Sequence, residues 1–485
     1  MENGLSFGER NFGLAVLGDK RRTNQLVELA GQMAHRPGGS LPEKLNSPKD
    51  LKAMYRLFDC DQVTHQAVLA AHQEYLLKTL LPARSGFTLV IHDATELEYT
   101  KHYSLSEDLG QIGNGFRRGY IAQNSLVVCP ATRATLGLAN QVLYRRAKVK
   151  KGETCSERRK RDSRESLLWL KGVEPLPANR QIVDVCDRGA DNSEFIEHEA
   201  NSGRTFLIRS SINRNCFVGH DETDNPEPRK LHDDARTHAM AGTWELEIAG
   251  KTEFKSPNGK GKKQNVTRKK RTATMAVSFA PIQLKVSRSK TSSPACVWIV
   301  RVWEVNPPAD QERLEWFLLT NHPVTTFEEA NEVVGWYETR WVIEEYHKCL
   351  KTGMSIEGYQ FTDTRRLEPA IALTSITAIT LLNLRDDSRR EETKDRPAIE
   401  YIDQEYIEVL SAWRHGTPKM EWTVSQFVLA LARLSGHQNR KSDHPPGWQK
   451  LWKGWHELHA MLTGARIAKK KQNLWVNLSP RDPVS

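Results

Sequence analysis

Two aspartates each close a run of apolar and β-branched residues. GFTLVIHD ends in Asp93 and RQIVDVCD ends in Asp187. Such runs predict buried strands, and open α/β sheets carry their sites at the carboxyl ends of the strands. A lone acid there is most often a helix cap or a loop residue. Two acids ending adjacent central strands are a different matter. Close carboxylates repel one another unless a cation lies between them, and an all-oxygen donor set suits Mg²⁺.

A third acid would complete a two-metal site, and WYETRWVIEEYHKCLKTG supplies candidates. At about 100° per residue, with Tyr337 at zero, Arg340 falls near 300°, Glu344 near 340° and Lys351 near 320°. Glu345 falls at about 80°, on another face, so helical phase selects Glu344. A stripe of Tyr, Arg, Glu and Lys is not an apolar packing face. The alternative is a salt-bridged surface, since Arg340 and Glu344 are an i,i+4 pair. His347, beside this stripe, has no histidine partner at ligand spacing and is expected to pack or to face a polymer rather than bind metal.

The elements that would position these groups are readable in outline. Residues from Asp19 to Cys60 read as helical, with Leu26, Leu29, Ala30 and Met33 at helical spacing and a break at Pro37. Further helices are predicted from Pro48 to Phe58 and from Thr64 to Leu80. From Gly86 the order becomes three strands (GFTLVIHD, NSLVVCP, LGLANQVLYRR), a helix (SERRKRDSRESLLWLKGV), a strand (RQIVDVCD), a helix (NSEFIEHEANSG) and a strand (TFLIRSS). This is the order of a ribonuclease H-like fold, in which the first and fourth strands are neighbours. Residues 212–323 are β-rich and read as an insertion, and a helix follows from Thr326 past Lys351. The predicted organisation is α/β: a helical domain at 1–70, a ribonuclease H-like core with its β-rich insertion at 71–365, and a helical domain at 366–485.

The chain has 485 residues, 38% of them hydrophobic and 27% charged, and a net charge of +10. That is enough apolar material for a large core. The best membrane-span candidate, Leu367 to Leu384, contains Glu368, Pro369 and several hydroxyl residues, and the start, MENGLSFGERN, lacks an apolar signal core. Seven scattered cysteines without a Cys-x-x-Cys motif argue for reduced thiols rather than disulfides or zinc. These features predict a cytoplasmic protein with no membrane partner. Basic residues cluster at Lys255, Lys260, Lys262, Lys263, Arg268, Lys269, Lys270 and Arg271, and again at Arg145, Arg146, Lys148, Lys150, Lys151, Arg158, Arg159, Lys160 and Arg161. Such runs suit phosphate backbones, although a solvated loop would read the same way.

Tyr337, Arg340, Glu344 and Lys351 together match the Tyr-Arg-Glu-Lys signature, and the chain resembles the insertion-sequence-four family of bacterial DDE transposases. IHDATELEY and VCDRGAD look like that family's first and second acid motifs, and EWFLLTNHPV like the strand before its catalytic helix. GDKRRTNQLVELA near the start and GWQKLWKGWHELHAML near the end are also similar to it.

The resemblance implies cut-and-paste transposition on double-stranded DNA. Asp93, Asp187 and Glu344 would hold two Mg²⁺ ions, with Mn²⁺ as a substitute, and the protein would work as a homodimer on two transposon ends, later joined to target DNA. Each site would act mainly on the end bound by the partner subunit. A nick frees a 3′-hydroxyl, which attacks the opposite strand to make a hairpin. Water reopens the hairpin before the end joins the target. Tyr337, Arg340 and Lys351 would bind phosphates. Trp316 would stack on a base flipped out of the bent strand, unless it is simply a buried strand residue. Arg209 would contact DNA, although a family member carries lysine two residues further on and this chain has Ser211. Arg21 and Arg22 would touch terminal-repeat DNA, unless they are a plain surface patch. Leu451, Trp452, Trp455, Leu458 and Leu462 lie on one helical face. That face would serve either an intramolecular core or the dimer contact that the family makes in this region. A metal-dependent nuclease or resolvase on the same fold, or a catalytically idle DNA-binding copy, would share most of these features.

Overall fold

In a computed structural model of the chain the apolar runs become strands. The structure describes residues 6–36, 39–45, 47–149, 152–218, 228–255, 264–268, 270–284, 295–309, 311, 313–419, 421–440, 443 and 445–476. The strands in chain order are β1 Thr88–Glu98, β2 Gly110–Gln111, β3 Arg118–Val128, β4 Thr135–Tyr144, β5 Ile182–Cys186, β6 Thr205–Arg209 and β7 Asn215–Val218. They continue with β8 Arg229–Lys230, β9 Gly242–Ile248, β10 Lys251–Lys255, β11 Gln264–Arg268, β12 Arg271–Leu284, β13 Ala295–Glu304 and β14 Glu315–Thr320. The chain divides into two units: residues 1–85, 94–168 and 342–485 form the first, and 86–93 and 169–341 the second.

In the first unit the N-terminal helices begin where their caps predict. Asp19 accepts from the Arg21 amide to start Lys20–His35, Ser47 caps Pro48–Phe58 with proline in the first turn, and Thr64 caps His65–Tyr75. Leu26, Leu29, Ala30 and Met33 have no exposed surface, as their spacing requires. β3 pairs antiparallel with β4. Gly119 of β3 passes so close to β1 that a Cβ there would meet the Leu97 carbonyl oxygen at 1.9 Å. The helix Thr364–Asp387 is long and apolar enough to cross a membrane, but Leu367, Ile371, Leu373, Ile376 and Leu382 are buried in this unit and make it a core helix.

The apolar face of the C-terminal helix Trp448–Val476 belongs to that core as well. Leu451, Trp455, Leu458 and Leu462 pack with Tyr406, Ile407, Leu410, Phe427 and Leu431, while Trp452 is half-buried. Leu451, Trp455, Leu458 and Leu462 are thus core residues of this unit.

In the second unit β1 pairs parallel with β5, and β5 parallel with β6. β14 then joins β6 antiparallel, β13 joins β14, and β12 joins β13, β7 and β9. The β-rich stretch therefore continues the sheet of the parallel strands. The result is a large mixed sheet with many helices.

Three expectations need correction. β1 does not stop at Asp93 but runs on to Glu98, with a burial pattern that switches from continuous to mixed. The single helix expected over SERRKRDSRESLLWLKGV is broken at Arg161, which is extended, into Cys155–Lys160, a turn at Glu165–Leu167 and Leu168–Val173. The helical run expected from Thr326 past Lys351 is present as Phe327–Thr339, the αR residue Arg340 and Trp341–Lys348, but it closes in a π turn at Cys349–Gly353. A π turn takes one residue more than an α turn, so Lys351 does not keep the phase of a straight helix.

Candidate active site

Sheet register places the strand-end groups. His92 of β1 lies opposite Cys186 of β5, and Cys186 lies opposite Ile208 of β6. The residues that follow are Asp93 on β1, Asp187 just past the end of β5 and Arg209 at the end of β6. Because side chains alternate between faces, these three form a row across one face of three neighbouring strands. Asp187 also caps the turn Arg188–Ala190, its Oδ1 accepting from the Gly189 amide at 2.7 Å. Any Cβ at Gly189 would stand 2.9 Å from that oxygen and 3.0 Å from the Trp169 ring.

The opposite face of the same strands carries a buried ionic array. His92 Nε2 and Asp184 Oδ1 are 2.7 Å apart, Arg204 Nε donates to Asp184 Oδ2 at 2.6 Å, and Arg204 Nη2 donates to Glu199 Oε1 at 3.1 Å. Burial alone would raise the Asp184 carboxyl, but His92 and Arg204 outweigh it and hold it below the usual range. Burial and the Asp184 charge push Glu199 well above its usual range. Cross-links on this hidden face fix the strands whose other face bears the acids.

Around the row stand the signature residues of the second unit. The helix Phe327–Thr339 starts at a capping box of Thr326 and Glu329 and ends at Arg340. Arg340 Nη1 lies 3.5 Å from Asp93 Oδ2. Tyr337 is buried and bonded to the Arg209 side chain; burial raises its hydroxyl, opposed by the charges of Arg209 and Arg340. The Trp316 ring is 5.8 Å from the Tyr337 ring, tilted by 59°. Trp316 is half-buried, so it is not a sealed core residue. Arg209 pairs with Leu318, and Trp316, two residues from Leu318, shares its face.

In the first unit Glu344 is half-buried in the first turn of the helix Trp341–Lys348. Its neighbour Glu345 is paired with the Arg385 guanidinium. His347 is buried, its Nε2 3.0 Å from Asn124 Nδ2, which makes it a packing residue. Lys351 Nζ lies 3.8 Å from Glu357 Oε1.

Among the described residues no three His, Cys, Asp or Glu side chains are gathered as a metal cage. The adjacent Asp93 and Asp187 nevertheless fit Mg²⁺ by donor chemistry. That ion takes one or two protein carboxylates and completes its shell with water and phosphate oxygens.

The basic residues divide. Arg21 is exposed. Arg22 donates to the Leu17 carbonyl and to Gln62 Oε1, both at 2.9 Å, and so ties its own helix to the fold. In the run from Arg145, Arg145, Lys148, Arg158 and Lys160 are exposed, and four of its cations have partners. Arg145 donates to the Asp108 carbonyl, Arg146 pairs with Glu165, Lys148 lies 3.6 Å from Glu107, and Arg161 pairs with Glu153. Lys150 and Lys151 lie outside the described residues, as do the side chains of Lys255, Lys260, Lys262, Lys263, Arg268 and Lys269. Lys270 and Arg271 face Glu247 and Glu304.

The sequence patterns passed over Trp341, which follows Arg340 and is 55% exposed. They also passed over Lys44, a wholly buried lysine, which local sequence does not distinguish from a surface one.

Residues 6–63 match the family model described as transposase DNA-binding. The helices Phe7–Phe12, Lys20–His35, Leu41–Lys44 and Pro48–Phe58, with Arg21 and Arg22, fall inside that stretch.

Proposed function

We propose that the chain is a cut-and-paste DDE transposase with a ribonuclease H-like core, similar to the insertion-sequence-four family, acting as a homodimer on two DNA ends. The observation that carries this is the row Asp93, Asp187 and Arg209 across three parallel strands: two metal-type acids beside a phosphate-type cation. The N-terminal match to a transposase DNA-binding domain supports DNA as the substrate. The pairing of β1 with β5, and of β3 with β4, is what a ribonuclease H-like core requires.

In this proposal Asp93, Asp187 and Glu344 hold two Mg²⁺ ions, or Mn²⁺ in their place. Bound Mg²⁺ would activate the attacking oxygen and stabilise the leaving 3′-oxygen. The remaining work is positioning and charge. Arg209 is held toward the row by Tyr337 and offers a forked contact to phosphate. Arg340 stands beside Asp93, where it can grip the phosphate flanking the cut. Lys351 adds a point charge. Trp316, braced on Tyr337, offers the free part of its ring to a base that leaves the stack when the strand bends into a hairpin.

The test is the full-length protein on a duplex of the inverted repeat flanking the reading frame, with Mg²⁺. We expect a nick, then a hairpin, then a blunt end. Asp187→Asn and Glu344→Gln should lower cleavage by more than about 10³-fold, the scale of losing the main electrostatic stabilisation, and leave the gel-shift unchanged. Nicks without hairpin would indicate a nuclease on this fold. Binding without any metal-dependent cleavage would indicate an idle copy.

A further inference from the structure

Lysine is almost never fully buried without partners, yet Lys44 has no exposed surface. Its ammonium donates to the Gly39 carbonyl and to the Met354 carbonyl, both at 2.7 Å, and lies 5.5 Å from the centre of the Tyr359 ring. Gly39 and Lys44 belong to the stretch that matches a transposase DNA-binding domain. Met354 belongs to the segment that presents Lys351.

That segment is pinned along its backbone. The π turn Cys349–Gly353 closes with the Met354 amide on the Cys349 carbonyl at 2.8 Å. Ser355 is left-handed, with φ 51°, a conformation that side chains adopt only when their surroundings hold them there. The Ile356 carbonyl accepts from Tyr99 at 3.2 Å, and Glu357 accepts from the Glu98 amide at 2.8 Å while standing 3.8 Å from Lys351 Nζ. Other pins come from β1 and its flank, from the segment itself, and from the core helix, where the Ala378 carbonyl accepts from Cys349 Sγ at 3.5 Å. Lys44 supplies the pin from the N-terminal helices. Burial pushes its ammonium down to about 7, partly offset by Glu43. A contact this dry is not readily exchanged for water, because breaking it strands a buried carbonyl.

We propose that Lys44 is a positioning residue that couples DNA binding by the N-terminal helices to the placement of Lys351. The consequence is a checkpoint: a chain's site is competent only when that chain's own N-terminal helices hold DNA. The proposal rests on the transposase assignment for its cleavage arm, but not for its binding arm.

The experiment compares full-length wild type with Lys44→Met. Arg366→Gln is the control, because it cuts a different tie, Arg366 to Asp59, between the N-terminal helices and the core helix. On the inverted-repeat duplex Lys44→Met should bind within about twofold of wild type. Its single-turnover cleavage at saturating DNA should fall about 10- to 100-fold, the scale for a group misplaced by about 1 Å. Lys44→Met combined with Lys351→Ala should be no slower than Lys351→Ala alone, as expected for residues acting in series. Arg366→Gln should add its own independent loss. By amide hydrogen exchange, the duplex should slow residues 349–358 in wild type but not in Lys44→Met, while slowing of Lys20–His35 persists in both. Multiplicative losses in the double variant, or equal slowing of 349–358 in both proteins, overturn the proposal. If Lys44→Met does not melt cooperatively, the wild-type exchange arm still decides: no slowing at 349–358 on DNA binding also overturns it. Absence of wild-type cleavage would sink the transposase assignment instead and leave the exchange arm intact.

Discussion

The guanidinium of Arg340 lies 3.5 Å from the carboxylate of Asp93. A residue expected to grip DNA phosphate thus faces the first acid. Both groups are only partly exposed, so the pair is incompletely screened. A divalent cation on Asp93 would repel the guanidinium and release it toward phosphate. Arg340→Gln should therefore tighten Mg²⁺ binding by the DNA-free protein about fivefold, the factor for an ion pair worth about 1 kcal/mol. Calorimetric titration reads this directly, and an unchanged isotherm would show that Arg340 does not compete for Asp93. Cleavage should fall in the same variant, because the phosphate loses its forked partner.

Trp316→Ala should slow hairpin formation more than first-strand nicking. The ring leans on Tyr337 and keeps part of its surface open, and stacking on a base is worth about 1–3 kcal/mol. The expected loss is about 10- to 100-fold on the hairpin step alone. Equal loss on both steps would make Trp316 a structural residue.

Arg21 and Arg22, adjacent in sequence, should behave differently. Arg21→Ala should weaken end binding and reduce the salt slope of log K by about one, as for a lost phosphate contact. Arg22→Ala should instead lower the melting temperature, since its guanidinium holds the Leu17 carbonyl and Gln62. Fluorescence anisotropy against salt and a thermal melt separate the two.

Lys44 makes stability depend on pH with a definite sign. The unfolded chain keeps that proton to about pH 10.4, and burial makes the folded chain release it at about 7. Between these values the unfolded state binds more protons, so stability rises as pH rises. Urea midpoints at pH 7 and pH 9 should increase in wild type relative to Lys44→Met. Parallel midpoints in the two proteins would mean that the buried ammonium is not the group responsible.

Strands were legible wherever apolar residues ran together, as in Val90-Ile91 before Asp93 and Val183-Asp184-Val185 before Asp187. The continuation of β1 to Glu98 was not. ATELE mixes polar and apolar residues as a loop does, and it is pairing with β3, closely approached at Gly119, that makes it strand. The ion pairs of Arg146 with Glu165 and of Arg161 with Glu153 were not legible either, because such partners are set by folding rather than by sequence pattern. Lys44 is the extreme case: its partner Met354 is 310 positions away.

The C-terminal helix carries one more consequence. Leu451, Trp455, Leu458 and Leu462 fill the space against Tyr406, Ile407, Leu410 and Phe427. Trp455 also donates to the carbonyl of His35, at the end of an N-terminal helix. A reading frame cut short ahead of Trp448 would yield a protein with an open greasy trough and a loosened DNA-binding end. Such a fragment is destined for chaperones and proteases, so trimming this protein for laboratory use should start beyond Leu462.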